Sequence, residues 1–448
     1  MHIPSGLRAV GPVLGCAVLG LALTAAPAGA ADRHSQQTGQ SSRIARAALP
    51  AGDGWGSADG GTTGGSAADA ARTQVASTRA QLVAALGGTQ GTDSTPKIVY
   101  IRGTIDLNTD ADGQPLSCAD YATDGYTPAG YLAAYDPGVW GRTAEPSGPL
   151  EDARAASAAR QAEQVQIRVP SNTTLVGIGG DARILGGGLL LKNVDNVIVR
   201  NLTFEDAADC FPQWDPTDTS VGNWNSAYDS LSLSGATHVW VDHATFTDGR
   251  NPDSAQPLYF GRPYQVHDGQ LDITNGSDEV TASWNVFTQH DKTNLVGSSN
   301  TSKTDPGKLR VTFHHNAWEG TIQRAPRVRF GQVDVYNNYY AADDPAAYDY
   351  SWGVGVNSQL VAEKNYLRLS GGVSPAQVIY NWGGTAATVD GNLVNGRPVD
   401  LLAAFNAANP ATPIASGAGW TPALRTRVDN PAALPGIIGC NAGAGRLH

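Results

Sequence analysis

Five eight-residue stretches in the second half of the chain carry an asparagine at the same place. VTASWNVF from Val280, VTFHHNAW from Val311, VDVYNNYY from Val333, LVAEKNYL from Leu360 and ATVDGNLV from Ala387 begin on β-forming or apolar residues, and most end on an apolar or aromatic one. Their sixth residues, Asn285, Asn316, Asn338, Asn365 and Asn392, stand 31, 22, 27 and 27 positions apart. VIVRNLTF from Val197 and VWVDHATF from Val239 keep the rhythm without that asparagine. Short strands at this interval, with no helices between them, do not suit a doubly wound sheet. They suit a coil of parallel strands in which each turn buries its inward side chains on the next. Asparagines stacked at one corner would satisfy one another and the turn backbone sealed beneath them. The expectation is an all-β solenoid; a β-sandwich or propeller with coincidental asparagines is the competing fold.

The chain ahead of the repeats is less regular. Residues 1–30 read as a secretory signal peptide, with Arg8, an apolar run over 10–23 broken by Gly15 and Gly20, and small residues for cleavage at Ala28-Gly29-Ala30. No other stretch approaches the ~20 apolar residues that span a bilayer, so a secreted, extracellular protein with no membrane partner is expected. Residues 31–49 are polar and Ser/Gln-rich and read as a flexible leader. Residues 50–448 form one elongated domain, taken as a monomer. Helices are predicted over 78–86, stopped by Gly87-Gly88, and over about 150–163. A net charge of −11 argues against a nucleic-acid partner, but a polyanionic substrate stays possible because the local field of a cleft decides its binding.

Three segments concentrate unusual side chains. PQWDPTDTSVGNWNSAYDSLSL carries Asp215, Asp218 and Asp229; YFGRPYQVHDGQLDITNGSDEV carries Asp268 and Asp272; the stretch from FTQHDKTNLVG to QRAPRVRFG carries Lys292, Arg324, Arg327 and Arg329. Asp268 and Asp272 are four apart in what reads as a strand, where period two puts them on one face. Paired carboxylates repel unless a cation sits between them, and hard oxygen ligands suit Ca²⁺. Taken alone, the pair is more simply two solvated acids. Three guanidinium groups within six residues, in an acidic chain, suggest a local anion site.

Together WDPTD, YDS, VWVDHATFTDG, YFGRPYQVHDGQLDITNGSD, HDKTNLVGSS, HHN and QRAPRVRFGQVDVYNNYY resemble the family 1 polysaccharide lyases, and among them the bacterial pectate lyases. The resemblance runs from GWGSADGGTTGG near Trp55 to the C-terminus. It implies a right-handed parallel β-helix with short flanking helices and a substrate groove on one sheet. It also implies Ca²⁺ held by Asp229, Asp268 and Asp272, with Asp218 helping to bind further calcium when substrate is present. Arg324 would take the catalytic-base position, and Lys292 and Arg329 would bind uronate carboxylates. Asp242 and His243 of VWVDH would be structural. The implied reaction is β-elimination on polygalacturonate, giving 4,5-unsaturated oligogalacturonides.

Three other functions compete, one of them a glycoside hydrolase on a similar solenoid, which would need an acid/base carboxylate pair without obligatory calcium. A pectin lyase acting on methyl-esterified polymer would share the fold but resemble this chain less at the calcium acids. A non-catalytic, polysaccharide-binding β-helix would have no use for Arg324 and Lys292 beside three acids. Cys16 leaves with the signal, so Cys118, Cys210 and Cys440 remain, without zinc-like spacing. Given where the resemblance sets their segments, a Cys118–Cys210 bridge with Cys440 free is expected.

Overall fold

In the computed structural model, which describes residues 41–447, the repeats close into a parallel β-helix. Each coil visits three sheets in turn. Leu271–Thr274, Asp278–Ser283 and Val286–Lys292 make one such coil, and each strand pairs in parallel with its counterparts in the coils before and after. The expected signal peptide, residues 1–30, lies outside the described residues.

The corner between the second and third strands of each coil explains the asparagines. The residue before each corner position adopts a left-handed conformation: His243 (φ 48°), Trp284 (57°), His315 (55°), Asn337 (52°) and Lys364 (54°). Such a residue breaks the strand and turns the chain sharply. The next residue then points inward. Asn285 Nδ2 donates to Asn316 Oδ1 at 2.9 Å, and the same link joins Asn316 to Asn338, Asn338 to Asn365 and Asn365 to Asn392 at 3.0 to 3.1 Å. Each Oδ1 also accepts the preceding coil's corner N–H at 2.9 Å. All five side chains are buried, so the ladder satisfies backbone that water cannot reach.

The eighth position of the same repeat builds a second column. Phe204, Phe246, Phe287, Trp318 and Tyr340 stack nearly parallel, with ring centroids 4.8 to 5.1 Å apart. That spacing is the distance between neighbouring strands, so one aromatic per coil fills the interior continuously.

The flanks match the helix expectations. Thr78 caps the helix Arg79–Ala85 through a bond from Gln81 N, and the second helix spans Pro149–Val165. Short helices Cys118–Tyr121 and Pro128–Ala134 bring Tyr121, Tyr126, Tyr131 and Tyr135 against Phe211, Trp214 and Trp224, forming a satellite aromatic core. Cys118 and Cys210 are bonded, with Cα atoms 5.3 Å apart.

Two expectations are corrected. Residues 41–49 are not part of a flexible leader: Ala45 and Leu49 are buried, and Arg46 donates to Ser66 O and Ala68 O at 2.7 and 2.9 Å. A polar stretch can still dock through a few apolar side chains and a well-placed arginine. Cys440 does not carry a lone thiol; it is disulfide-bonded. The odd count rested on setting Cys16 aside, and Cys16 lies outside the described residues.

Candidate active site

Three aspartates converge from two successive coils. Asp229 stands just before the strand Leu231–Ser234, and Asp272 lies in its neighbour Leu271–Thr274. The expected strand through both Asp268 and Asp272 is shorter than read: it begins at Leu271, and Asp268 precedes it. The reason is local. Asp268 N bonds to Tyr228 O at 3.3 Å and Gly269 N to Asp229 Oδ1 at 2.9 Å, so a side chain has taken a backbone donor that a ladder would use. The carboxylates still share one space. A Cβ at Gly269 would fall onto the Asp272 carboxylate and within 2.9 Å of Asp229 Oδ1.

That crowding shows in the electrostatics. Burial, then the charge of Asp268, push the Asp229 carboxyl up to about 7. Burial and the charges of Asp229 and Asp268 hold Asp272 well above the usual carboxylate range. Burial acts on Asp268 in the same direction, but Lys292 and Arg324 outweigh it and bring that carboxyl below its ordinary value. A divalent cation would relieve the repulsion, and the oxygen-only donor set with the bare Gly269 beside it fits Ca²⁺.

Cations line the other side. Lys292 closes the strand Val286–Lys292, with Nζ 2.8 Å from Asp268 Oδ1. Arg324 follows the strand Ala317–Gln323 in a left-handed turn (φ 59°), and its carbonyl accepts from Asn294 N at 2.7 Å. Arg327 and Val328 form the next strand, whose alternation turns Val328 inward and Arg327 out. Among the described residues no carboxylate pairs with Arg324, Arg327 or Arg329, and the Nε of Arg324 and of Arg327 are buried without a hydrogen-bond partner. Arg329 is more committed: it donates to Asn300 Oδ1 at 2.7 Å and Gly297 O at 2.6 Å and is only 7% exposed.

Beside the cations lies a cleft of about 460 Å³, with Lys292, Arg324 and Arg327 along it and Asp218, Asn223 and Arg262 on one wall; Asp229, Asp268, Asp272 and Arg329 are not among its lining residues. Asp218 accepts from Asn223 Nδ2 at 3.0 Å. The satellite aromatic core carries this wall, through Trp214 and Trp224 on either side of the turn that holds Asp218.

The pectate lyase family model matches residues 147–416 of this sequence. The chain belongs to the pectate lyase family. It is 46% identical over 432 residues to a pectate lyase of Bacillus subtilis, covering 96% of this chain and 97% of that one. It is 34% identical to pectate lyase E of Dickeya chrysanthemi over 90% of this chain and 88% of the relative. Among solved structures it superposes on a thermostable pectate lyase with a TM-score of 0.88, at 45% identity, covering 90% of this chain and all of the other. A pectate lyase bound to hexasaccharide gives 0.85 at 46% identity over the same shares.

In this pectate lyase the sequence reading missed part of the cleft. Arg327 was read only as one of three guanidinium groups at a local anion site, with no part in the reaction, and nothing near Trp382 marked it as a cleft residue. A histidine network beneath the acids was also missed. His290 donates from Nε2 to Asp268 O at 2.6 Å, while its Nδ1 meets Asp248 Oδ1 at 2.7 Å. His267 lies between Asp253 and Asp206 at 2.9 and 3.0 Å; against the pull of burial, these carboxylates push it up to about 10. Asp248, Asp253 and His267 bring three ligand-type atoms within 4.8 Å. Both ring nitrogens of His267 are given to carboxylates, so the group is held together as an ion network. Asp242, as expected of VWVDH, is structural: it is buried, 2.6 Å from Arg200 and 2.8 Å from His243.

Proposed function

We propose that the protein cleaves polygalacturonate by β-elimination at the cleft holding Arg324 and Lys292, with Ca²⁺ held by Asp229, Asp268 and Asp272. The observation that carries this reading is the convergence of three crowded carboxylates beside cations that have surplus charge. Bound to the uronate carboxylate, calcium would stabilise the charge that develops when C5 loses its proton. Lys292 adds a positive charge at the same place. Arg324 takes the C5 proton, the C4–C5 double bond forms, and the C4–O4 bond breaks, with the leaving oxygen protonated from water. A guanidine must first shed its own proton to act as a base, so turnover rises toward alkaline pH. Arg329, turned toward the loop 297–300, holds a neighbouring uronate carboxylate through its remaining donor edge, and Asp218 on the wall contributes to further calcium when substrate is present.

We also propose export, which suits the Cys118–Cys210 bridge. The test of function is an assay on polygalacturonate and on methylated pectin, with and without chelator. Ultraviolet-absorbing product from polygalacturonate, abolished by chelation, is the expected result. Undiminished product in chelator would reject the metal, and preference for methylated pectin would reject the substrate. Replacing Arg324 with Lys, which keeps the charge but not the planar fork, should remove most turnover while leaving calcium binding intact.

A further inference from the structure

The sheet that holds Leu271–Thr274 continues through Arg327–Val328 into a surface that the proposed reaction does not use. Arg327 is in register with Gly353 on the next strand, and Gly353 with Tyr380 on the one after. Gly355 is likewise in register with Trp382. The middle strand, Trp352–Gly355, therefore turns two glycines outward, since Trp352 and Val354 between them are fully buried. This bare strip is filled from both sides. A Cβ at Gly353 would come within 3.0 Å of Arg327 Cβ and Tyr350 Cε2, and one at Gly355 within 3.0 Å of Arg329 Cγ. Arg327 crosses the strip to lay its guanidinium 3.7 Å from the centroid of Trp382. Tyr380 packs on Trp382 at 4.8 Å and on Tyr350 at 5.5 Å.

Three features of this shelf point to a ligand. Arg327 has no carboxylate partner among the described residues, and its nearest charged neighbours include Arg329 and Arg324; burial and those charges bring it down to about 10. A cation held this way lacks the anion that would offset its desolvation. Tyr380 is 43% exposed, more than any other large aromatic side chain among the described residues. Finally, Arg327 and Trp382 line the same cleft as Arg324 and Lys292, so whatever runs along that cleft meets them.

We infer that Arg327, Trp382 and Tyr380 form a distal uronate subsite of the cleft. The guanidinium, kept planar against Trp382, presents its free edge to a sugar carboxylate, while the exposed ring of Tyr380 takes the apolar C–H face of a pyranose. Strands in one sheet are ~4.8 Å apart, so Tyr380 sits roughly 10 Å along the sheet from Arg327, a reach of two or so sugar units. The subsite thus reads polymer length and does not contact the bond that breaks. This inference rests on the proposed substrate class.

The experiment compares trigalacturonate with hexagalacturonate in wild type, Tyr380→Ala, Trp382→Ala and Arg327→Gln. The expected result is a fall of about tenfold in the hexamer-to-trimer ratio of kcat/KM, the factor set by ~1.4 kcal/mol. Arg327→Lys should recover part of that loss, because it restores charge without the planar stack. Calorimetric titration of hexagalacturonate into the same proteins should show the matching loss of affinity. An unchanged ratio together with unchanged hexamer affinity would overturn the subsite. So would equal losses on both substrates, which would mark the residues as general supports of the cleft. If wild type makes no absorbing product at all, the proposed reaction fails, and the calorimetric comparison still decides the subsite.

Discussion

Lys292 Nζ lies 2.8 Å from Asp268 Oδ1, so the cation proposed to neutralise substrate is already paired with a carboxylate proposed to hold calcium. The two roles compete for one oxygen. Removing the ammonium in Lys292→Met deletes both a like charge beside the metal and a rival for Asp268. Calcium affinity should rise by about tenfold, corresponding to ~1.4 kcal/mol, while turnover collapses. Calorimetry and the ultraviolet assay on the same preparation check this. Weaker calcium binding would mean that Lys292 chiefly orients Asp268.

The acids carry a cost without metal. Asp229 holds its proton up to about 7, whereas its ordinary value is 3.8. Between those values the unfolded chain has released a proton that the folded chain retains. Stability of the calcium-free protein should therefore fall as pH rises from about 4 to 7. In Asp229→Asn that fall should be smaller, with a higher melting temperature at pH 8 in chelator and no stabilisation by added calcium. Thermal melts with and without calcium measure both halves.

The asparagine ladder is expected to be strongest in its middle. Asn338 accepts from Asn316 N and Nδ2 and donates to Phe313 O and Asn365 Oδ1. Asn338→Ala would strand several of these buried groups, with a loss of about 3 kcal/mol. Asn392 ends the run and donates onward only to Ala362 O, so Asn392→Ala should cost less. Denaturant melts of the two variants give the order; a larger loss at Asn392 would show that the ladder bonds are not the main term.

His315 offers a pH test away from the cleft. Its ring stacks on Trp284 at 4.4 Å, and burial and then His314 bring it down to about 3. It stays neutral in the fold when the unfolded chain, near 6.5, takes up a proton. Its contribution to stability is present above 6.5 and lost as pH falls toward 3. His315→Asn keeps a residue suited to the left-handed corner, as Asn337 does on the next coil. The variant should lose less melting temperature between pH 7 and 4.5 than wild type does.

The coil was legible because its repeat is written in side chains that must face each other. Asn285 to Asn392 and the column from Phe204 to Tyr340 each have one partner type, so the letters recur. The site was less legible, for a physical reason. Asp229 and Asp272 meet through pairing of strands some forty residues apart in sequence, and spacing alone could not bring them together; the family resemblance did. Arg327 and Trp382 were harder still. What joins them is the absence of side chains at Gly353 and Gly355, and an absence on an intervening strand leaves no motif around either partner. The error at Asp268 had the opposite origin. Period two was applied through Gly269, where Asp229 had taken the backbone donor that a strand would have used.

The corner asparagines are separated by 31, 22, 27 and 27 residues, yet each meets the next at 2.9 to 3.1 Å. Separation in this molecule is counted in hydrogen-bonded rungs, and the chain length spent between rungs is free to vary. A segment inserted into a loop away from the cleft would lengthen the polypeptide without moving Arg324 relative to Asp272. One added or lost as a whole coil would displace everything beyond it by a single rung, about the spacing of adjacent strands. The catalytic geometry is thus insulated from ordinary insertions and deletions, and it can be shifted only in whole steps.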